Sequence, residues 1–262
     1  MSIANRPPMR FREVRPPEEL ATIVACFWEF VADAETPPGH IHVIPPDGCT
    51  SVSGSPGRVV TFVGPRVEAL RMPMQPSSLY FGVRFRPGAT RHSLGLTGAQ
   101  LRDQIGLLSP LNKKFADDMH DAIGKSRTID QAMPRLVEML DALPKDVDKT
   151  VQAGVLAIEV SNGTAKIEAI AQAIGISERQ FQRRFKEEVG LTPKQFARVY
   201  RFRAAAIDVA MRGADRWGAV AAERGFSDQP HLVREFAEIF GMTPSDFQTK
   251  FAPAIEHVDV GP

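Results

Sequence analysis

KIEAIAQAIGISERQFQRRFKEEVGLTPKQF, from Lys166 to Phe196, reads as helix, tight turn, helix, and a degenerate second copy of it runs from Arg216 to Phe247. Laid over one another, the copies match at Ala171 and Ala221, Gly175 and Gly225, Ser177 and Ser227, Phe185 and Phe236, Gly190 and Gly241, Thr192-Pro193 and Thr243-Pro244, and Phe196 and Phe247. The offset is 50 residues up to the serine and 51 after it. One extra residue is therefore expected between Ser227 and Leu232, in the first turn of the second copy's long helix. Pro230 is tolerated there because first-turn N–H groups have no intrahelical partner to lose.

In the first copy Ile167, Ile170, Ala171 and Ile174 recur at helical spacing. Gly175 supplies the left-handed residue that ends a helix, and Ser177 caps the next one. In that next helix Phe181, Phe185 and Val189 share one face, which turns Arg179, Gln182, Arg183 and Lys186 outward together. Arg pairs bidentately with guanine and Gln with adenine in the major groove, where every base pair is distinguishable. A basic helix face taken alone is more often a solvated one. Its occurrence in a tandem helix-turn-helix is what points to nucleic acid.

The stretch Pro193–Met211 has no internal Pro or Gly and predicts a helix of about 19 residues, roughly 28 Å long. Successive major grooves on one face lie ~34 Å apart, so such a rod suits two reading helices one turn apart. Thr192 before Pro193 and Thr243 before Pro244 are cap and first-turn proline, leaving helix N-termini suited to phosphate. Between Arg179 and Arg203 eight basic residues (Arg179, Arg183, Arg184, Lys186, Lys194, Arg198, Arg201, Arg203) face two acidic ones (Glu187, Glu188).

Two helix-turn-helix copies, each closed by a Gly and a Thr-Pro-x-x-Phe helix start, resemble the DNA-binding domain of the AraC/XylS family of bacterial transcription regulators. The resemblance covers residues 151–251. It implies two subdomains joined by one long helix, with recognition residues Arg179, Gln182 and Arg183 in the first copy and Gln229, His231 and Arg234 in the second. It also implies double-stranded DNA and RNA polymerase as partners. Leu232 and Trp217 depart from the commoner residues of the family but stay apolar. Val233 stands where a polar reader is usual.

At 262 residues the chain is long enough for two domains, and a net charge of +1 argues against a purely electrostatic binder. It lacks an apolar run of ~18 residues, and its N-terminus MSIANRPPMR lacks the apolar core of a secretory signal, which predicts a cytoplasmic protein with no membrane partner. Cys26 and Cys49 are too few and too far apart in sequence for a zinc site, and read as buried thiols.

From Ile23 to Arg86 the composition is β-branched and aromatic, punctuated by Pro and Gly clusters, which predicts short strands and turns. In Ser78–Arg86, Leu79, Phe81, Val83 and Phe85 alternate with polar positions, giving one buried and one polar face, with Arg84 and Arg86 solvated. Helices are expected near 89–94, 98–105, 109–123 and 128–143. The fold class is thus α+β in two domains: a β-rich cupin-like barrel or sandwich with following helices over 1–143, a linker at 144–150, an all-α tandem helix-turn-helix over 151–251, and a tail at 252–262.

A β-rich domain before the repeat resembles the cupin-like N-terminal domains of AraC-type regulators, which implies a small-molecule effector and a homodimer. The apolar spacing of Ile129, Met133, Leu136, Val137 and Leu140 suggests self-association through the last helix, with Pro134 kinking it. The alternative is a cupin-type metalloenzyme or DNA-repair fusion carrying the same DNA-binding module. His40, His42 and His92 would be its metal ligands, but no glutamate or second strand histidine completes them. No cofactor and no catalytic residue are expected. The absence of a phosphate loop, nucleophile elbow or H-E-x-x-H agrees with a protein that is not an enzyme.

Overall fold

The computed structural model describes residues 9–212, 217–241 and 243. The helix start expected at Pro244, the domain end at Phe251 and the expected tail lie outside the described residues. In chain order the elements are β1 (Met9–Val14), β2 (Val24–Ala32), β3 (His40–Ile44), β4 (Thr50–Gly54), β5 (Thr61–Val63), β6 (Leu70–Met74), β7 (Ser78–Phe85), α1 (Thr90–Leu94), α2 (Gly98–Leu101), β8 (Ile105–Leu107), α3 (Lys113–Ile123) and α4 (Ile129–Asp141). Then come α5 (Lys149–Val160), α6 (Ile167–Ile174), α7 (Glu178–Val189), α8 (Pro193–Arg212), α9 (Trp217–Glu223) and α10 (Gln229–Phe240).

The α+β reading is borne out, with a β-rich region followed by helices. Six strands form one antiparallel sheet in the order β1-β2-β7-β4-β5-β8, and β3 and β6 form a separate two-stranded antiparallel sheet. The sheet stays open, with β1 and β8 at its edges, so the expected barrel closure is absent among the described residues. One helix was expected over 98–105. It ends at Leu101, and Ile105–Leu107 is the edge strand β8 instead. Thr97 and Gln100 close a capping box at the start of α2; Asp103 then takes a positive φ and the chain turns outward along β5.

Alternation in β7 places Phe81, Val83 and Phe85 in the main core, all fully buried. The opposite face is not solvated as expected. The indole of Trp28 covers Gly82 where a side chain would otherwise project. Arg84 is held between Glu13 (2.5 Å) and Asp47 (3.0 Å). Asp47 also accepts the Cys49 amide, 2.9 Å, which fixes the Asp47-Gly48 turn.

Helix α4 runs through Pro134. Its apolar face does not wait for a partner: Ile129, Leu136 and Leu140 are fully buried in the N-terminal core beside Phe115 and Met119 of α3, with Met133 and Val137 packed against it. The proposed self-association face is therefore buried within the domain.

Cys26 and Cys49 are buried free thiols. His42 of β3 packs on the ring of Phe30, 4.6 Å between centroids. Among the described residues no three His, Cys, Asp or Glu side chains converge as metal ligands. Burial, with repulsion from His40, holds His42 down at about 4. An unfolded histidine titrates near 6.5. The unfolded chain thus binds the proton first, and stability should fall as pH drops from about 6.5 to about 4, then cease to depend on this group. Thermal unfolding across that range should show the loss, and His42→Gln should flatten it.

Two further cores lie in the helical part. The first unites α5, α6, α7 and the start of α8 around Phe181, Phe185 and Phe196; the second unites the middle of α8 with α9 and α10 around Phe202, Trp217 and Phe236. Helix α8 is shared, contributing Phe196 to one and Phe202 to the other. The stretch expected as a linker, 144–150, runs into α5 at Lys149 and is held at both ends. Leu143 and Val147 pack on the N-terminal core, and the Asp148 carboxylate caps α5 by accepting from the amides of Thr150 and Val151.

Candidate nucleic-acid interface

Helix α7 starts where Ser177 Oγ accepts the Gln180 amide and Gln180 Oε1 accepts the Ser177 amide, both at 3.3 Å. It stops at Gly190, whose φ of 84° is costly for any residue with a Cβ. Phe181, Phe185 and Val189 are buried, and Phe185 stacks edge-on with both Phe181 and Phe196 at 5.4 Å. That anchoring fixes the opposite face. Arg179, Gln182, Arg183 and Lys186 are all exposed on it. Gln182 donates to Glu178 at 2.6 Å, whereas Arg179, Arg183 and Lys186 have no ion-pair or hydrogen-bond partner among the described residues. Arg184 stands aside, bonded to Thr150 Oγ1 at 3.2 Å and 3.6 Å from Asp148.

The second copy starts differently from expectation. Asp228, not Ser227, caps α10, its carboxylate accepting the His231 amide at 2.6 Å. Gly225 still ends the preceding turn with φ 70°. The extra residue therefore sits in the turn between Gly225 and the cap, and the helix itself carries no insertion. A turn absorbs a residue readily because its backbone owes no ladder of hydrogen bonds. Aligned on the caps, Arg234 falls on Arg183, Val233 on Gln182, Pro230 on Arg179 and His231 on Gln180.

His231 thus occupies the place from which a side chain reaches back to the helix start. Its Nδ1 accepts the Ser227 amide at 3.4 Å, and Nε2 lies 3.5 Å from Glu235. Gln229 is exposed in the first turn, and Val233 is half-buried. Glu235 and Glu238 stand near Arg234 on α10 but are not bonded to it: both take Arg198 of α8, at 3.1 and 2.9 Å. Arg234 is left exposed and without a partner among the described residues.

Sequence reasoning counted Arg198 among the basic residues but gave it no role. A cation on α8 with two carboxylates spaced i, i+3 on α10 was the available signal, visible only once the two helices are known to cross. At the start of α8, Thr192 and Gln195 form a capping box, with Gln195 Oε1 accepting the Thr192 amide at 3.0 Å and Thr192 Oγ1 accepting the Gln195 amide at 3.2 Å. Lys194 beside it is exposed, as is Thr243 after α10. Helix α8 has 20 residues, about 30 Å of rod.

Two capped helices, each anchored by an aromatic face and each presenting an arginine at the same turn, define a helix-turn-helix protein built in duplicate. Residues 170–250 match the helix-turn-helix domain family, of AraC type. Residues 170–250 are accordingly an AraC-type helix-turn-helix domain. Residues 12–106 match a domain of unknown function, DUF6597.

No curated protein matches the chain. Among solved structures, a probable AraC family transcriptional regulator from Rhodopseudomonas palustris is 25% identical, over 39% of this chain and 97% of that one, with a TM-score of 0.35. The DNA-binding domain of AdpA, a global transcriptional factor solved with a target DNA, is 22% identical over 42% of this chain and 99% of that one, TM-score 0.35. ToxT from Vibrio cholerae is 8% identical over 92% and 97%, TM-score 0.42. Among the described residues no helix is long and apolar enough to cross a membrane.

Proposed function

We propose that this regulator reads particular duplex sequences with α7 and α10, using Arg179, Gln182, Arg183 and Lys186 on the first helix and Arg234 with Gln229 on the second, while Lys194, the start of α8 at Thr192, and Thr243 meet phosphate. His231 supports the start of α10 in this reading. One observation carries it: three cations on α7 project from a face fixed by buried aromatics and have no carboxylate to satisfy them among the described residues. Residues 151–251 act as the DNA-binding unit and the β-rich part as its control domain. Selection from fragmented genomic duplex by the full-length chain tests it. Enrichment of one motif over random duplex is the expected result, and retention of all sequences alike would refute it.

We further infer that the control domain answers to a small anionic molecule. A cavity of about 240 Å³ lies where β2, β4 and β7 meet α5 and α8. Arg86 and Arg203 line it, and among the described residues no carboxylate is bonded to either; Glu13 and Glu159 also line it, Glu159 accepting from Tyr200 at 2.5 Å. Small carboxylic acids that bind there should raise the melting temperature, and Arg203→Ala should abolish the shift. An unchanged response in Arg203→Ala would place the effector elsewhere.

A further inference from the structure

The segment from Pro65 to Arg71, which follows β5 and includes the first two residues of β6, crosses both helix-turn-helix units. Pro65 lies against Gly190 at the end of α7, close enough that a Cβ on Gly190 would overlap its ring and the backbone of Gly98. Val67 packs into the core of the first unit. The Ala69 amide donates to the Ile239 carbonyl at 2.6 Å, and Arg71 Nη1 donates to the Gly241 carbonyl at 3.1 Å. Gly190 and Gly241 are the same landmark of the two repeats, the left-handed residue that ends each reading helix. One seven-residue strap therefore touches the two reading helices at equivalent points.

Its near end is held firmly. The Pro65 carbonyl accepts the Asp103 amide at 3.0 Å, Gly64 donates to Gln104 at 2.9 Å, and Gly98 meets the end of α7 backbone to backbone. Arg91 of α1 adds an ion pair with Glu188 of α7 at 2.8 Å. Its far end continues into the two-stranded β3–β6 sheet. The reading faces stay exposed with the strap in place, so it acts as a spacer and not as a cover.

A spacer is needed because α8 alone is an imperfect ruler. Long helices bend, and a bend of about 7° in a ~30 Å rod moves its far end by roughly 3.5 Å, about one base-pair step. We propose that the strap Pro65–Arg71 fixes the separation of the two reading helices, so that the N-terminal domain helps to specify which half-site spacing the protein accepts. This rests on the DNA-reading role proposed above.

The test lengthens the strap in the full chain by two glycines inserted between Val67 and Glu68, with Arg71→Ala as a milder variant and Arg71→Lys as its conservative control. Spin labels at Gln172→Cys and Ala222→Cys, exposed positions on α6 and α9, report the separation by pulsed dipolar spectroscopy without DNA. Cys26 and Cys49 stay unlabelled because both thiols are buried. One narrow distance is expected in the parent chain, broadened or displaced by about 3 Å or more in the lengthened strap, weakly broadened in Arg71→Ala and restored in Arg71→Lys. Identical distributions in parent and lengthened strap overturn the proposal.

The second arm compares the selected duplex with versions in which one or two base pairs are added or removed between half-sites. The lengthened strap should reduce the parent's spacing preference at least about threefold, a small part of the ~1–3 kcal/mol that a single wrong base pair costs, and leave binding to an isolated first half-site unchanged. An unchanged spacing preference despite an altered distance also overturns it. A parent chain that selects no sequence refutes the DNA-reading role instead, and the distance arm still decides whether the strap spaces the helices.

Discussion

Replacing Arg179 and Arg183 together by alanine should weaken binding to the selected duplex by roughly a hundredfold or more, because a lost bidentate base contact costs ~1–3 kcal/mol and two are removed from one helix. Neighbouring sites couple, so the sum is not strictly additive. Both side chains are exposed and unpartnered, and the melting temperature should not move. Titration over a salt series separates the two kinds of contact. A base contact loses affinity and preference at one position, whereas each phosphate contact removed lowers the salt slope by about one unit. A double variant within about threefold of the parent would show that α7 is not the principal reading helix.

Arg198→Ala is expected to damage the second half-site, although Arg198 itself makes no base contact in this account. It neutralises Glu235 and Glu238, which flank Arg234 on α10. Without it, two carboxylates face DNA beside Arg234, the one Lys or Arg within α10. Partly exposed pairs of this kind are worth only ~0.2–1 kcal/mol to folding, so stability should change little. The cost should instead appear against the phosphates, on the order of tenfold in affinity, since each uncompensated charge opposes the counterion release that drives binding. Adding Glu235→Gln and Glu238→Gln to Arg198→Ala should restore most of the loss. Failure of that rescue, with the salt slope lower by about one unit, would make Arg198 a direct phosphate ligand.

The two reading helices remain unequal in this account. Among the described residues three cations on α7 have no partner, whereas α10 has Arg234 with Val233 and Pro230 where the first copy has Gln182 and Arg179. Valine can touch a thymine methyl but forms no hydrogen bond. Arg183→Ala should therefore cost more than Arg234→Ala, a comparison best made on one duplex with each half-site scrambled in turn. The reverse order would exchange the roles of the two helices.

The helical half was legible in sequence because its signals are local. Phe181, Phe185 and Val189 repeat at helical spacing, Ser177 and Gly190 bracket them, and the second copy repeats the pattern. What local signals could not decide was the position of the extra residue, since Ser227 and Asp228 are equally competent caps and only the fold of the turn selects Asp228. Long-range pairings were hidden for the same reason. Arg84 reads as a polar position of an alternating strand, and its burial depends on Glu13 and Asp47, distant in sequence. Arg198 meets residues about 40 positions away, and Arg71 meets Gly241 across 170. Strand β8, which overlaps the expected helix only at Ile105, was missed because three residues of edge strand carry too little periodicity to be told from a helix end.

Hydroxyl-radical footprinting of the full-length chain on its selected duplex tests most directly whether one molecule reads DNA with two helices held a fixed distance apart. Two protected patches on one face, centred about 10–10.5 base pairs apart, are the predicted result, with the patch over the α10 half-site weakened selectively by Arg234→Ala. A single patch within one turn, or two patches that weaken together in that variant, would contradict it.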